Sequence, residues 1–242
     1  MIDSLVVWEK AFFLWLNSFH TPFWDSFMYM ISSRGPWTVV LIVLLLFSFY
    51  RKPVGEGILL VITLLLTILL TEQISSGVIK PLAERLRPTF HPETRDAVRT
   101  AFGYLGGGFG FISGHATNFF GVAMLLSLIF RNRLNTLLLF CLALTTAYSR
   151  IYLGVHFVTD VVPGALLGLL IGWGMYYPYR WVRFRWVAMP RTLTTKKLFA
   201  PGMPLWNGFL VLFVLMLFFF CGQMTVLLSG MEPMQDAVLS GW

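Results

Sequence analysis

Apolar positions fill six long stretches of this 242-residue chain, roughly 24–50, 57–79, 113–130, 134–153, 158–178 and 205–229, parted by short polar segments. Each approaches the ~20 apolar residues that a helix needs to cross a bilayer. Backbone groups in lipid must be satisfied within the segment, so helices follow; a barrel would show short alternating strands instead. The first stretch is long, with room for an interfacial turn near Pro22 and a break near Gly35-Pro36. Ahead of it, Trp8, Phe12, Trp15 and Phe19 recur at helical spacing. That pattern fits a helix lying in the interface, and equally one packed on the bundle. The expectation is all-α: an integral membrane bundle of six transmembrane helices with an N-terminal interfacial helix. It forms a single membrane domain over 1–242, with the interfacial helix at 1–23, core spans at 24–179 enclosing a polar loop at 80–112, a basic cytoplasmic loop at 180–204, and a final span at 205–229.

Composition agrees. The chain is 57% hydrophobic and only 12% charged, where soluble domains carry about 25% charged residues. The net charge of +7 does not imply a nucleic-acid partner, because most of the basic residues sit in short loops between spans and set orientation. Arg51, Lys52, Arg131, Arg133, Arg180, Arg183, Arg185, Arg191, Lys196 and Lys197 fall on one side, which the positive-inside rule makes cytoplasmic. Tyr179, Trp181 and Trp186 suit an aromatic belt there. The 80–112 loop, the 154–157 turn and both termini then face outward. Cys141 and Cys221 both lie in apolar runs and read as small core residues. Asp3, Glu9 and Lys10 interrupt the N-terminus, which does not read as a signal peptide.

The outward segment 80–100 goes against that charge rule, with Lys80, Arg85, Arg87, Arg95 and Arg99. Lys80 and Arg87 are seven apart, about two helical turns, so a short helix begun at Pro81 and ended by Pro88 would put both on one face. Two such cations make an anion clamp, although snorkelling at a membrane edge accounts for them too. Ser113-Gly114-His115 opens the third span after a glycine-rich approach. It offers N–H groups at a helix N-terminus and an imidazole beside them. Arg150 ends the fourth span, and His156 and Asp160 open the fifth, four apart. A carboxylate there would fix the imidazole's tautomer and leave the far nitrogen free to attack; a structural pair capping the span reads as well. By the six-span count all three clusters lie at the outer edge, where ionisable groups are costly and tend to be functional.

In order and spacing, Lys-x6-Arg-Pro, Ser-Gly-His and Ser-Arg-x5-His-x3-Asp over residues 80–160 resemble the signature of the type 2 phosphatidic acid phosphatase family, which is related to vanadium haloperoxidases and bacterial acid phosphatases. The family pattern has proline before Ser-Gly-His, where this chain has Ile112. The resemblance implies a lipid phosphatase that needs no metal or other cofactor. Lys80, Arg87 and Arg150 would hold the phosphoryl oxygens, with Ser113 and the Gly114 N–H completing the cradle. His156 would attack phosphorus, Asp160 would orient it, and His115 would protonate the leaving group and then activate water. The partners would be membrane lipids and a lipid phosphate substrate: undecaprenyl diphosphate, phosphatidylglycerol phosphate, phosphatidate or a lipid A phosphate. The setting would be the inner membrane, with the site facing the periplasm or exterior. Around it, His91, Arg95 and Arg99 read as solvated rather than as contacts to a second phosphate.

Two rivals come from other classes. A lipid transporter or flippase would bury ionisable groups at mid-bilayer, whereas the span centres here are nearly free of charge. A non-catalytic lipid-phosphate binding protein would be expected to lack one of the two histidines, and both are present.

Overall fold

The computed structural model describes residues 4–187 and 195–239, and among these it holds helices and no strand. In order they are α1 (Ser4–Asn17), α2 (Pro22–Ser32), α3 (Arg34–Phe49), α4 (Val54–Glu72), a π-helical turn (Gln73–Ile79), α5 (Lys80–Ala83), α6 (Gly114–Phe130), α7 (Arg133–Tyr152), α8 (Val158–Arg185), α9 (Thr195–Phe199) and α10 (Met203–Leu239). Val54–Ala83, Arg133–Tyr152, Val158–Arg185 and Thr195–Cys221 are long and apolar enough to span a membrane, and α2 with α3 makes a fifth candidate bent by 50°. The remaining expected span, the third at 113–130, is α6, with 17 residues, or about 26 Å of helix, a little short of the hydrocarbon thickness. The chain is a multi-pass membrane protein.

The bend in the first span falls at Ser33, two residues before the Gly35-Pro36 break read from sequence. Ser33 is extended, with ψ 155, and its N–H is retained by Met30 O at 3.1 Å. Polar residues inside the next span are satisfied along the helix itself. The hydroxyls of Thr63, Thr67 and Thr71 donate to Leu59, Thr63 and Thr67 carbonyls at 2.7–2.9 Å. Such back-bonding lets polar side chains sit in a dry helix.

The core pair is α6 on α8, and glycine sets its closeness. Gly164, Gly168 and Gly172 stand four apart on one face of α8. A Cβ on Gly168 would lie 2.3 Å from Thr117 O, and one on Gly172 would lie 2.2 Å from Gly121 O. Small residues at this spacing let two helices approach backbone to backbone. The stripe brings the start of α8 against Ser113, whose N–H donates to Asp160 O at 3.0 Å.

At the other end of α8, Arg183 Nε donates to both oxygens of buried Glu56 at 2.9 and 3.0 Å, and Tyr179 donates to the same carboxylate. Two expectations change here. Tyr179 is a buried anchor between α4 and α8 and not part of an aromatic belt, while Trp181 and Trp186 are exposed. Residues 180–185 continue α8 as helix and do not open the 180–204 loop, because Glu56 offsets the charge of Arg183 and the helix continues past it. Arg191 lies outside the described residues. Cys141 is exposed on α7 and not in the core; Cys221 is buried.

α1 packs on the bundle through Glu9, Phe13 and Asn17, while Phe12, Trp15 and Phe19 point outward. The side chain of Trp8 is not among those described. Asn17 fastens the end of α1: its amide donates to Arg99 O and Tyr152 O and its oxygen accepts from Arg99 N, at 2.7–3.0 Å. α10 packs against α2, α7 and α3.

Candidate active site

Three distant stretches meet at one end of the α6–α7–α8 core. His156 lies in the α7–α8 turn, which reverses at Gly154 with φ +72; a Cβ there would meet Arg99 O at 2.9 Å. His156 is buried, and its Nε2 is 3.1 Å from Arg87 Nη1. A guanidinium can only donate, so neutral His156 accepts at Nε2 and carries its proton on Nδ1. Nδ1 faces Asp160 Oδ2 at 3.6 Å, too long for a hydrogen bond.

Asp160 therefore does not grip the imidazole as the i, i+4 spacing suggests. Its Oδ2 accepts from Phe157 N at 2.9 Å and its Oδ1 from Arg85 Nη1 at 2.6 Å. The carboxylate caps α8 and holds a buried arginine, and it meets His156 across a longer gap.

Lys80 and Arg87 do not share a helix face. The helix stops at Ala83, because Glu84 takes a left-handed conformation with φ 45. Arg87 reaches the site from irregular backbone. Its Nε donates to Gly107 O and its Nη1 to Val155 O, both at 3.0 Å. The glycine-rich approach is needed for this wrap: Gly106 has φ +68, and a Cβ there would lie 3.1 Å from Arg87 Nη1. Lys80 sits one turn from Ser76, to which it donates at 3.2 Å, and the Cβ of a residue at Gly114 would lie 3.1 Å from that same Ser76 hydroxyl.

Ser113 caps α6, its Oγ accepting from Ala116 N at 3.4 Å. Ile112, in the place of the family's proline, is buried. His115 Nε2 is 3.1 Å from Ser32 O, which leaves Nδ1 as the acceptor in the neutral ring. Arg150 is buried and donates to the Ser32 hydroxyl and, at 3.2 Å, to Tyr104 OH. Ser32 thus touches both the second imidazole and the third cation.

Electrostatics tie these groups together. Burial pushes the His156 imidazole well below its ordinary range, and Arg87, Arg150, Lys80 and His115 push it the same way. Burial and the neighbouring Arg150 hold Arg87 down at about 10, still cationic at neutral pH. Cations gathered against their mutual repulsion and away from water favour an incoming anion.

Spacing alone did not reveal Arg85, Glu9, Ser32 or Tyr104 as site residues. Arg85 is fully buried, with Asp160 and Thr159 on one arm and Glu9 Oε1 at 2.5 Å on the other; its only sequence signal was a basic residue in an outward loop. His91 is buried, edge-on to Phe157, and is not solvated as expected; its Nδ1 accepts from Glu93 N at 3.2 Å. Arg95 and Arg99 are exposed.

Comparison with known proteins places this geometry. The PAP2 superfamily profile matches residues 59–185. A lipid A 4'-phosphatase of Porphyromonas gingivalis is 39% identical over 91% of this chain and 94% of its own length. A lipid A 4'-phosphatase of Bacteroides thetaiotaomicron is 36% identical over 73% of this chain and 79% of its own. The crystal structure of Aquifex aeolicus LpxE superposes with a TM-score of 0.58 at 29% identity, covering 69% of this chain and 94% of that one. With its profile spanning more than half the sequence and a relative aligned nearly end to end, the chain belongs to the PAP2 superfamily.

Proposed function

We propose that this protein removes a phosphate from lipid A at the outer face of the cytoplasmic membrane, through a phosphohistidine on His156. The contact of Arg87 with His156, amid Lys80, Arg150 and a second imidazole, carries this reading. The named activity of the two bacterial relatives favours lipid A among the lipid phosphates.

In the proposed reaction, substrate phosphate displaces Arg87 from Nε2 and takes up the guanidinium itself. Lys80 and Arg150 hold the remaining oxygens, with the Ser113 and Gly114 end of α6 beneath them. The substrate's monoanionic phosphate brings one proton, which His115 Nδ1 takes up on binding. The Nε2 lone pair then attacks phosphorus as the bond to the leaving oxygen breaks, and His115 passes that proton to the leaving oxygen. Water then gives a proton to His115 and attacks the phosphohistidine, releasing phosphate and His156. Phosphoryl transfer asks for positioning and for charge on the equatorial oxygens to be met. Three fixed cations supply that charge, so the reaction needs no metal.

The test is phosphate release by detergent-solubilised protein in excess EDTA. Lipid A is compared with phosphatidate, phosphatidylglycerol phosphate and undecaprenyl diphosphate. Wild type is expected to turn over lipid A fastest and to be indifferent to EDTA. His156→Ala is expected to lose more than ~10³-fold in kcat. A His156→Ala protein that keeps a tenth of the activity, or a wild type silenced by EDTA, overturns the mechanism.

A further inference from the structure

We propose that Glu9, on the N-terminal helix, is a positioning residue of the active site: by holding one arm of Arg85 it keeps the charge of Asp160 available to His156. The proposal rests on His156 being the nucleophile. Glu9 lies outside the matched residues 59–185, on a helix whose pattern fits an interfacial helix and a bundle-packed one equally.

Glu9 is buried, and its contacts reach across 76 and 150 positions. Its Oε1 accepts from Arg85 Nη2 and from Thr159 Oγ1, each at 2.5 Å. Its Oε2 accepts from Thr159 N at 3.1 Å. Arg85 Nη1 meanwhile donates to Asp160 Oδ1 at 2.6 Å, and its guanidinium carbon stands 4.6 Å from the Phe157 ring centroid. One buried cation is therefore shared by two buried carboxylates.

The charge count gives the consequence. Groups facing His156 are cationic or imidazole from four elements: Arg87 from the loop, Arg150 from α7, Lys80 from α5 and His115 from α6. Asp160, from α8, is the carboxylate within reach, 3.6 Å from Nδ1. When Nε2 bonds to phosphorus while Nδ1 keeps its proton, the ring becomes a cation and Asp160 stabilises it. Arg85 alone would offset Asp160 and leave a neutral pair. Glu9 makes the cluster minus, plus, minus, and so restores one negative charge behind the nucleophile. In a dry site such a charge is weakly screened.

Glu9→Gln keeps the shape and removes the charge. Purified full-length protein in detergent, assayed on the best substrate of the panel, should then show kcat down by ~10- to 100-fold with KM within ~3-fold, the pattern of a lost transition-state interaction. The acid limb of kcat/KM should move to lower pH, since a negative charge near His156 is gone. A role confined to fastening α1 would not move that limb. Adding Arg85→Met removes the cation that Glu9 offsets, so the double variant should be faster than Glu9→Gln alone, a coupling that independent sites do not show. Where the single variant yields no folded protein, the double variant carries the test: an acid limb at or above the wild-type pH supports the proposal, and one below it overturns it. A folded Glu9→Gln protein with wild-type kcat, or with an unmoved acid limb, also overturns it. His156→Ala runs in the same assay: activity there sinks the nucleophile assignment, whereas an inactive His156→Ala beside an unaffected Glu9→Gln sinks the positioning role alone.

Discussion

At the scale of single residues, the proposed mechanism asks for a neutral imidazole held among cations. Burial first, and then Arg87, Arg150, Lys80 and His115, depress the proton affinity of His156. A free histidine protonates near ~6.5. Because the folded value lies well below that, His156 stays unprotonated as pH falls through 6.5 and gains its proton only in stronger acid. A nucleophile must be unprotonated, so the acid limb of kcat/KM should lie below the ordinary histidine value. Arg87→Gln removes one of the repelling charges, which raises the affinity of His156 for a proton, and the limb should shift to higher pH. Comparing variant with wild type on one substrate cancels the substrate's own ionisation. A limb that stays in place or moves to lower pH would show that Arg87 does not act on His156. Much of this chemistry is legible in the sequence, because Lys-x6-Arg-Pro, Ser-Gly-His and Ser-Arg-x5-His-x3-Asp are local patterns. The pairing of Arg85 with Glu9 is not, because nothing in spacing links positions 76 apart. Nor could spacing predict that Asp160 turns first to Arg85 and the α8 N-terminus: helical periodicity says which residues share a face, and the competing donors come from other segments.

Among the helices, closeness of approach is what positions the site. The α8 glycines seat that helix on α6, and the same contact sets the height of Asp160 beside Ser113. Gly168→Ala adds a Cβ 2.3 Å from Thr117 O, a backbone atom that cannot swing aside. Overpacking of this kind costs about 1–3 kcal/mol. The variant should melt several degrees lower in detergent and lose activity more than in proportion, because separation of the helices moves Ser113 away from Asp160. Gly174, on the same helix, has nothing within 4 Å of an added Cβ. Gly174→Ala should leave both melting temperature and activity near wild type, and equal losses in the two variants would mean that the stripe has no special role. Helix positions were readable from the apolar runs to within a few residues, because lipid enforces length. Their ends were less so: α8 runs on to Arg185, since Glu56 meets the charge of Arg183, and α5 stops early at a left-handed Glu84. Both ends depend on a partner or a backbone torsion that hydropathy does not register.

For the whole molecule, the exposure of basic residues bears on which face of the membrane holds the site. The site end carries Lys10, Arg34, Lys80, Arg85, Arg87, Arg95, Arg99 and Arg150, which by simple counting competes with the opposite end for the cytoplasm. Burial changes the count. Arg85 is buried between Glu9 and Asp160, whereas Arg34, Arg95 and Arg99 are exposed. Arg87 is buried in the site. At the opposite end Arg51, Arg131, Arg133, Arg180, Arg185, Lys196 and Lys197 are exposed, while Arg183 is buried against Glu56. Exposed positive charge is what resists translocation, so the opposite end should stay in the cytoplasm and the site should face outward. In a background with Cys141→Ala and Cys221→Ala, Asp96→Cys puts a thiol on the exposed site loop and Arg133→Cys puts one at the far end. A membrane-impermeant maleimide applied to intact spheroplasts should label the first and reach the second only after lysis. Labelling of Arg133→Cys in intact spheroplasts, with Asp96→Cys protected, would invert the topology and give the site access to the cytoplasmic leaflet alone.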